Sequence, residues 1–145
     1  MTMIRDVFRE KGNDVWTIDA EASVSAALHL MAEKNIGAVL VVGSSNAIEG
    51  IFSERDFARK MVSERRLPDS VPVREFMTTK VFYVRPEQTI EECMGIMTKR
   101  RFRHLPVMEE GRLKGVISIG DVVKALLSDK DSLIGQLEQY ISGRA

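Results

Sequence analysis

With 145 residues, 44% of them hydrophobic, the chain can form the core of one compact domain or of two very small ones. Its 21 basic and 21 acidic residues cancel, which argues against bulk nucleic-acid binding, a function that needs a basic excess. The single cysteine, Cys93, excludes an internal disulfide and fits a reducing compartment. No apolar run approaches the roughly 18 residues of a membrane span, and the first eight residues lack the layout of a signal peptide. A cytoplasmic location is expected; an organellar one, after removal of a transit peptide, is compatible with the same residues.

Along the chain, Ile4, Val7 and Phe8 give a short lead-in helix an apolar face. An extended segment at 15–18 precedes a helix at about 23–34, where Val24, Ala27, Leu28 and Met31 fall at i, i+3, i+4 and i+7 and Ser23 suits the N-cap. An apolar strand at 38–42, a Gly43-Ser-Ser-Asn46 turn, a strand at 48–52 and a second helix at about 54–64 follow. Pro68 and Pro72 bracket a linker. The order then recurs: an extended segment at 81–84, a helix at about 89–100, a strand at 105–108, a Glu109-Glu-Gly111 turn, a strand at 113–117 and a helix at about 119–128. The first helix of this second copy carries Ile90, Cys93, Met94 and Met97 on its apolar face, and Thr89-x-x-Glu92 predicts a capping box. Leu133, Ile134, Leu137 and Ile141 predict a further, C-terminal helix.

The chain thus contains an internal repeat. Val15/Val81, Glu21/Glu87, Val24/Ile90 and Val41/Val107 are each 66 residues apart. Gly50-Ile-Phe-Ser53-Glu-Arg-Asp56 matches Gly115-Val-Ile-Ser118-Ile-Gly-Asp121 at an offset of 65, so the first copy holds one extra loop residue. The lead-ins also match, Ile4-Arg-Asp-Val-Phe8 with Val73-Arg-Glu-Phe-Met77. We divide the chain into 1–70 and 71–145, each an α/β unit of order β-α-β-β-α with its lead-in. A unit of roughly 60 residues buries little surface alone. The two copies are expected to stack about a pseudo-twofold axis and share a core.

Strand, helix, an apolar strand reading Leu105-Pro106-Val107, then Gly-apolar-apolar-Ser-x-x-Asp opening a helix resembles the cystathionine β-synthase-type (CBS) domain. Two copies resemble the tandem pair often called a Bateman module, and the likeness covers nearly the whole chain. It implies a module that binds adenine nucleotides (AMP, ADP, ATP, NAD or S-adenosylmethionine) in two clefts, each taking Ser-x-x-Asp from one copy and an adenine slot from the other. One cleft would combine Ser118 and Asp121 with Thr17, Ile18, Ile36, Gly37 and Ala38. The other would combine Ser53 and Asp56 with Tyr83, Val84, Phe102, Arg103, His104 and Pro106. Arg55 and Arg103 match phosphate-contacting positions of related regulatory subunits, and Gly120 and Gly37 stand in their places in the first-named cleft. Leu40 likewise replaces Pro106, so the clefts should be inequivalent.

The chemistry follows from the residue types. A carboxylate at a helix start can accept both vicinal hydroxyls of a ribose, while the exposed N–H groups and the helix dipole favour phosphate. Gly37 and Ala38 allow close backbone approach to a flat base. The plainer reading of Ser-x-x-Asp is a capping box, and the two roles are compatible in turn. Lys99-Arg100-Arg101-Phe102-Arg103-His104 reads as a solvated helix end, a phosphate wall or a nucleic-acid contact. Cys93 and the methionines at 31, 94 and 97 read as core. His29 falls on the polar side of its helix. Two histidines and one cysteine offer no metal-site spacing, and no metal is predicted. No nucleophile–base set or phosphate-binding glycine fingerprint supports an enzyme. A CBS pair also occurs inside inosine-monophosphate dehydrogenase, but its catalytic barrel needs roughly 250 residues. The sequence therefore predicts a non-catalytic sensor, a homodimer through the apolar faces of its terminal helices, acting in trans on a separate regulated protein. The alternative is a ligand-free oligomerisation or nucleic-acid-binding adaptor.

Overall fold

Short β-branched runs alternate with amphipathic helices as the repeat predicts. The computed structural model describes residues 2–12, 14–45 and 47–142. In chain order the elements are α1 (Ile4–Lys11), β1 (Thr17–Asp19), α2 (Val24–Lys34), β2 (Ala38–Val42), β3 (Ile48–Ser53), α3 (Glu54–Glu64), α4 (Ile90–Arg100), β4 (His104–Glu109), β5 (Arg112–Ser118) and α5 (Ile119–Ile141). Two 3₁₀ turns, Pro68–Ser70 and Val73–Glu75, lie between α3 and α4. The contacts divide the chain into two compact units, Trp16–Val81, and Met1–Val15 together with Phe82–Ala145.

The repeat is visible residue by residue. In the first unit β1 runs parallel to β2, with Ile18 opposite Val41, and β2 pairs antiparallel with β3, with Ala38 opposite Ser53. In the second unit Val84 bridges Val107 in parallel, and β4 pairs with β5, with His104 opposite Ser118. Both hairpins shift register at the same place, between Val41 and Val42 and between Val107 and Met108. The first extended segment is a strand in one copy and a single bridge in the other. Ala20 donates its N–H to Val42 (2.9 Å) and prolongs the ladder; its counterpart, Pro86, has no N–H to give. The β4–β5 turn has positive φ at both central residues, Glu110 (51°) and Gly111 (75°), as a two-residue hairpin turn requires.

Each unit has its own core. Val24, Ala27 and Met31 of α2 pack with Val39, Val41, Phe52, Val71, Val73 and Phe76. Ile90, Cys93 and Met97 of α4 pack with Val84, Leu105, Val107, Ile117, Val122, Ile4 and Val7. The lead-ins are therefore exchanged between the sequence repeats. Ile4 and Arg5 donate their N–H groups to Gln88 and Pro86 (both 2.9 Å), and Ile90 donates to Thr2 (3.2 Å). Val73 and Arg74 make the same bonds to Ala22 (2.7 Å) and Ala20 (3.1 Å), and Val24 donates to Val71 (2.8 Å). The glycine that begins each Gly-x-x-Ser-x-x-Asp stretch is the socket for a lead-in. A Cβ on Gly50 would lie 2.7 Å from the Thr78 carbonyl oxygen and 2.8 Å from Met77; one on Gly115 would lie 2.6 Å from the Phe8 ring.

Three expectations need correction. The apolar face of α1 is not left for a dimer, since Ile4 is 0% and Val7 9% exposed within its own unit. The second-copy helix does not end near 128; α5 runs 23 residues to Ile141, continuing through Gly135, with no proline in it to remove a hydrogen-bond donor. The Thr89–Glu92 capping box is half-formed: Thr89 Oγ1 accepts the Glu92 N–H (3.1 Å), while the Glu92 carboxylate accepts from Gln88 (3.4 Å). The N-cap at Ser23 is present, its hydroxyl accepting the Ala26 N–H at 3.0 Å.

Candidate functional site

Strand β3 ends at Ser53 and α3 begins at Glu54; β5 ends at Ser118 and α5 begins at Ile119. Each serine leaves its strand in extended backbone and caps its helix. Ser53 Oγ accepts the Asp56 N–H (3.2 Å), and Asp56 Oδ2 accepts the Ser53 N–H (2.9 Å) and hydroxyl (3.0 Å). Ser118 Oγ accepts the Asp121 N–H (3.1 Å), and Asp121 Oδ2 accepts the Ser118 N–H (2.9 Å). These are full capping boxes, so the ribose candidates are also structural acids. Both aspartates are half-buried.

Each carboxylate has a further donor, and both donors come from a lead-in. Thr78 Oγ1 donates to Asp56 Oδ1 at 3.0 Å. Lys11 Nζ donates to Asp121 Oδ2 at 2.7 Å and to the Val116 carbonyl at 3.0 Å, with its ammonium 5.3 Å from the Phe8 ring centroid. Burial alone would raise the Asp121 carboxyl, but the Lys11 ammonium and Ser118 outweigh it and hold it below the usual aspartate value. Sequence reasoning missed Lys11 and Thr78. The matching lead-ins were the available signal, but only their exchange brings these side chains to the aspartates.

The other candidate residues fall at the same ends of the strands. Glu54 donates its N–H to the Gly37 carbonyl (3.1 Å), and Ile119 donates to Arg103 (2.8 Å). Each unit thus joins its own pre-strand residues to its own helix start: Gly37 and Ala38 to Ser53, Arg103 and His104 to Ser118. Thr17, Tyr83, Arg55 and Arg103 are exposed, Ile18, Ile36, Gly37, Phe102 and His104 half-buried, and Ala38, Val84 and Pro106 buried. Phe102 and Phe82 stack with ring centroids 5.5 Å apart, and the Arg100 guanidinium lies 4.6 Å over Phe82. Among the described residues neither Arg55 nor Arg103 has an ion-pair partner; Glu109 pairs instead with Lys114 at 3.9 Å. Cys93 is buried, and burial first, then the Asp121 charge, pushes its thiol up to about 11, which makes it an inert core residue. No cluster of three potential metal-ligating side chains occurs among the described residues, and no described helix is long and apolar enough to cross a membrane.

Two α/β units with one strand–Ser-x-x-Asp–helix junction apiece define a class, and comparison bears it out. The CBS domain family model matches residues 3–63 and 73–128, and the chain belongs to that family as a tandem pair. It is 35% identical to the mitochondrial CBS domain-containing protein CBSX3 of Arabidopsis thaliana, over 98% of this chain and 73% of that protein. A putative signal-transduction protein with CBS domains from Burkholderia ambifaria superposes with a TM-score of 0.84 at 46% identity, covering 88% of this chain and 96% of that one. CBSX2, whose crystal structure is a complex with AMP, superposes with a TM-score of 0.70 at 26% identity, over 90% and 99% of the two chains.

Proposed function

We propose that the chain is a non-catalytic adenine-nucleotide sensor that regulates a separate protein in trans. The observation that carries this reading is the pair of Ser-x-x-Asp helix starts, each presenting a half-buried carboxylate beside backbone N–H groups. Asp56 and Asp121 accept ribose hydroxyls, with Ser53 and Ser118 beside them. The helix starts attract phosphate, and Arg55 and Arg103 are the exposed cations for longer phosphate chains. Ile36, Gly37 and Ala38, and Phe102, Arg103, His104 and Pro106, are offered to adenine, with Thr17, Ile18, Tyr83 and Val84 alongside. The AMP bound by CBSX2 supports the ligand class. The mitochondrial relative keeps an organellar location on equal footing with a cytoplasmic one.

Titration calorimetry with AMP, ADP, ATP, NAD and S-adenosylmethionine tests the reading. At least one should bind in the micromolar range, about −8 kcal/mol. Silence for all five at millimolar concentration refutes it and leaves the adaptor reading, which the exposed apolar face of α5 favours.

A further inference from the structure

We propose that Lys11 sets the ligand selectivity of the Asp121 half-site, making it accept adenine nucleotides and reject the free nucleoside. The inference rests on the sensor reading above and deepens it. Asp121 Oδ2 already accepts two hydrogen bonds, from the Ser118 N–H and the Lys11 ammonium, which uses both lone pairs of that oxygen. A ribose that takes both carboxylate oxygens must therefore displace Lys11. A nucleoside offers the displaced ammonium nothing in return, whereas a phosphate gives it a new charge-assisted hydrogen bond. The exchange is local. The Lys11 ammonium is held over the Phe8 ring and by the Val116 carbonyl, on the very strand that leads into Ser118.

The surroundings favour an ammonium that can swing. A cavity of about 340 Å³ opens beside the pair, and Lys11 and Asp121 both line it. Its other charged walls are Lys124, Asp6, Glu10 and Asp129. Asp6 is occupied by the Met3 N–H (2.9 Å) and Arg9 (3.3 Å), and Asp129 accepts from Thr2, so these acids are already engaged. The Asp56 half-site is built differently. There Oδ2 is likewise filled, by the Ser53 N–H and hydroxyl, and Oδ1 accepts from Thr78, but both side-chain donors are neutral, so a ribose hydroxyl can replace either without separating charge. The glycines at 37 and 120 had marked the Asp121 side as poor in cations; the exchanged lead-in supplies one.

The test titrates AMP and adenosine into the chain carrying Asp56→Ala, which isolates the Asp121 half-site, and into the same chain with Lys11→Met, Lys11→Gln or Lys11→Arg. Lys11→Met replaces the ammonium with an unbranched neutral side chain; Lys11→Gln is a second neutral variant should the first be misfolded by circular dichroism. With Lys11 present, AMP should bind roughly tenfold or more tighter than adenosine. In the neutral variants adenosine should gain roughly threefold to tenfold, AMP should weaken, and the ratio should fall towards one. Lys11→Arg should retain the preference. An unchanged ratio, or an equal loss for both ligands, overturns the proposal, because it makes Lys11 a structural group only. If neither ligand binds at millimolar concentration with Lys11 present or absent while AMP binds the unmodified chain, the Asp121 half-site takes no nucleotide and the proposal falls; if the unmodified chain is silent towards AMP, ADP, ATP, NAD and S-adenosylmethionine alike, the sensor reading itself fails.

Discussion

At the scale of single side chains, Asp56 and Asp121 close a capping box and, in the proposed function, hold ribose. Asp56→Ala and Asp121→Ala should each lose the cap, about 1 kcal/mol of stability, and a charged ribose contact, roughly 1.5–3 kcal/mol of binding. Thermal melts and calorimetric titration separate the two losses; variants that bind as tightly as the parent show that the ribose assignment is wrong. The Lys11–Asp121 pair also predicts a pH dependence. The Asp121 carboxyl lies below its ordinary value in the folded chain, so its contribution is fully present above the unfolded value, about 3.9, and is lost as pH falls through the lower folded value. The side chains are 36% and 22% exposed, which keeps the contribution to about 1 kcal/mol. Melting temperatures of the parent and Lys11→Met should differ at pH 7, and the difference should shrink only as pH falls below about 3.9, vanishing below the lowered folded value. A constant difference across that range means that the ion pair adds nothing.

Among the elements, the lead-ins and α5 have opposite fates. The lead-ins are consumed by their sockets, and the sockets tolerate change unequally. A Cβ at Gly115 meets the Phe8 ring, which can yield, whereas one at Gly50 meets the Thr78 backbone carbonyl, which cannot without moving the strand bridge between Ile51 and Thr78. Gly50→Ala should therefore cost more than Gly115→Ala, within the roughly 1–3 kcal/mol typical of overpacking. Denaturant unfolding reads the order, and the reverse order would refute the socket assignment. In α5 only Val122 is fully buried, while Leu127, Leu133, Ile134, Leu137 and Ile141 are 58%, 55%, 49%, 52% and 82% exposed. Ile119, Val123, Leu127, Ile134, Leu137 and Ile141 share one helical face. We expect this face to join two copies in a closed dimer. Light scattering at tens of micromolar should give a dimer mass, and truncation after Ser128 a folded monomer. A monomer before truncation refutes it.

For the whole molecule, the exchange of lead-ins means that the compact units, Trp16–Val81 and Met1–Val15 with Phe82–Ala145, do not coincide with the sequence repeats. A fragment cut as 1–70 keeps Ile4 and Val7 but lacks Val71, Val73 and Phe76, three fully buried members of its own core. A fragment spanning 16–81 holds that core complete. Burial of such side chains contributes roughly 1.5–3 kcal/mol each, a large share of the stability of so small a unit. Circular dichroism and thermal melts should show 16–81 more structured than 1–70. Equal folding of the two fragments would mean that the lead-in contacts contribute little.

The repeat, the β-α-β-β-α order, the helix faces and the serine caps were legible in the sequence because each is a local property, written in spacings of two to four residues and in the residue types that terminate elements. The Ser-x-x-Asp junctions were legible for the same reason, although their residues alone could not separate a cap from a ribose contact; the structure forms the cap. The length of α5 is not legible because a polar stretch at 128–132 looks like a boundary, yet with no proline between 119 and 141 no donor is missing from the hydrogen-bond ladder. What only the tertiary structure decided is which copy receives each lead-in. Gly50 and Gly115 offer nearly the same socket, and the backbone bonds of the two lead-ins are equivalent, so composition and periodicity cannot distinguish self-docking from exchange. That choice buries Ile4 and Val7, carries Lys11 to Asp121 and Thr78 to Asp56, and makes the two half-sites chemically different. The reason is physical: proximity between residues more than a hundred positions apart, such as Lys11 and Asp121, is set by how the chain closes on itself, not by any spacing along it.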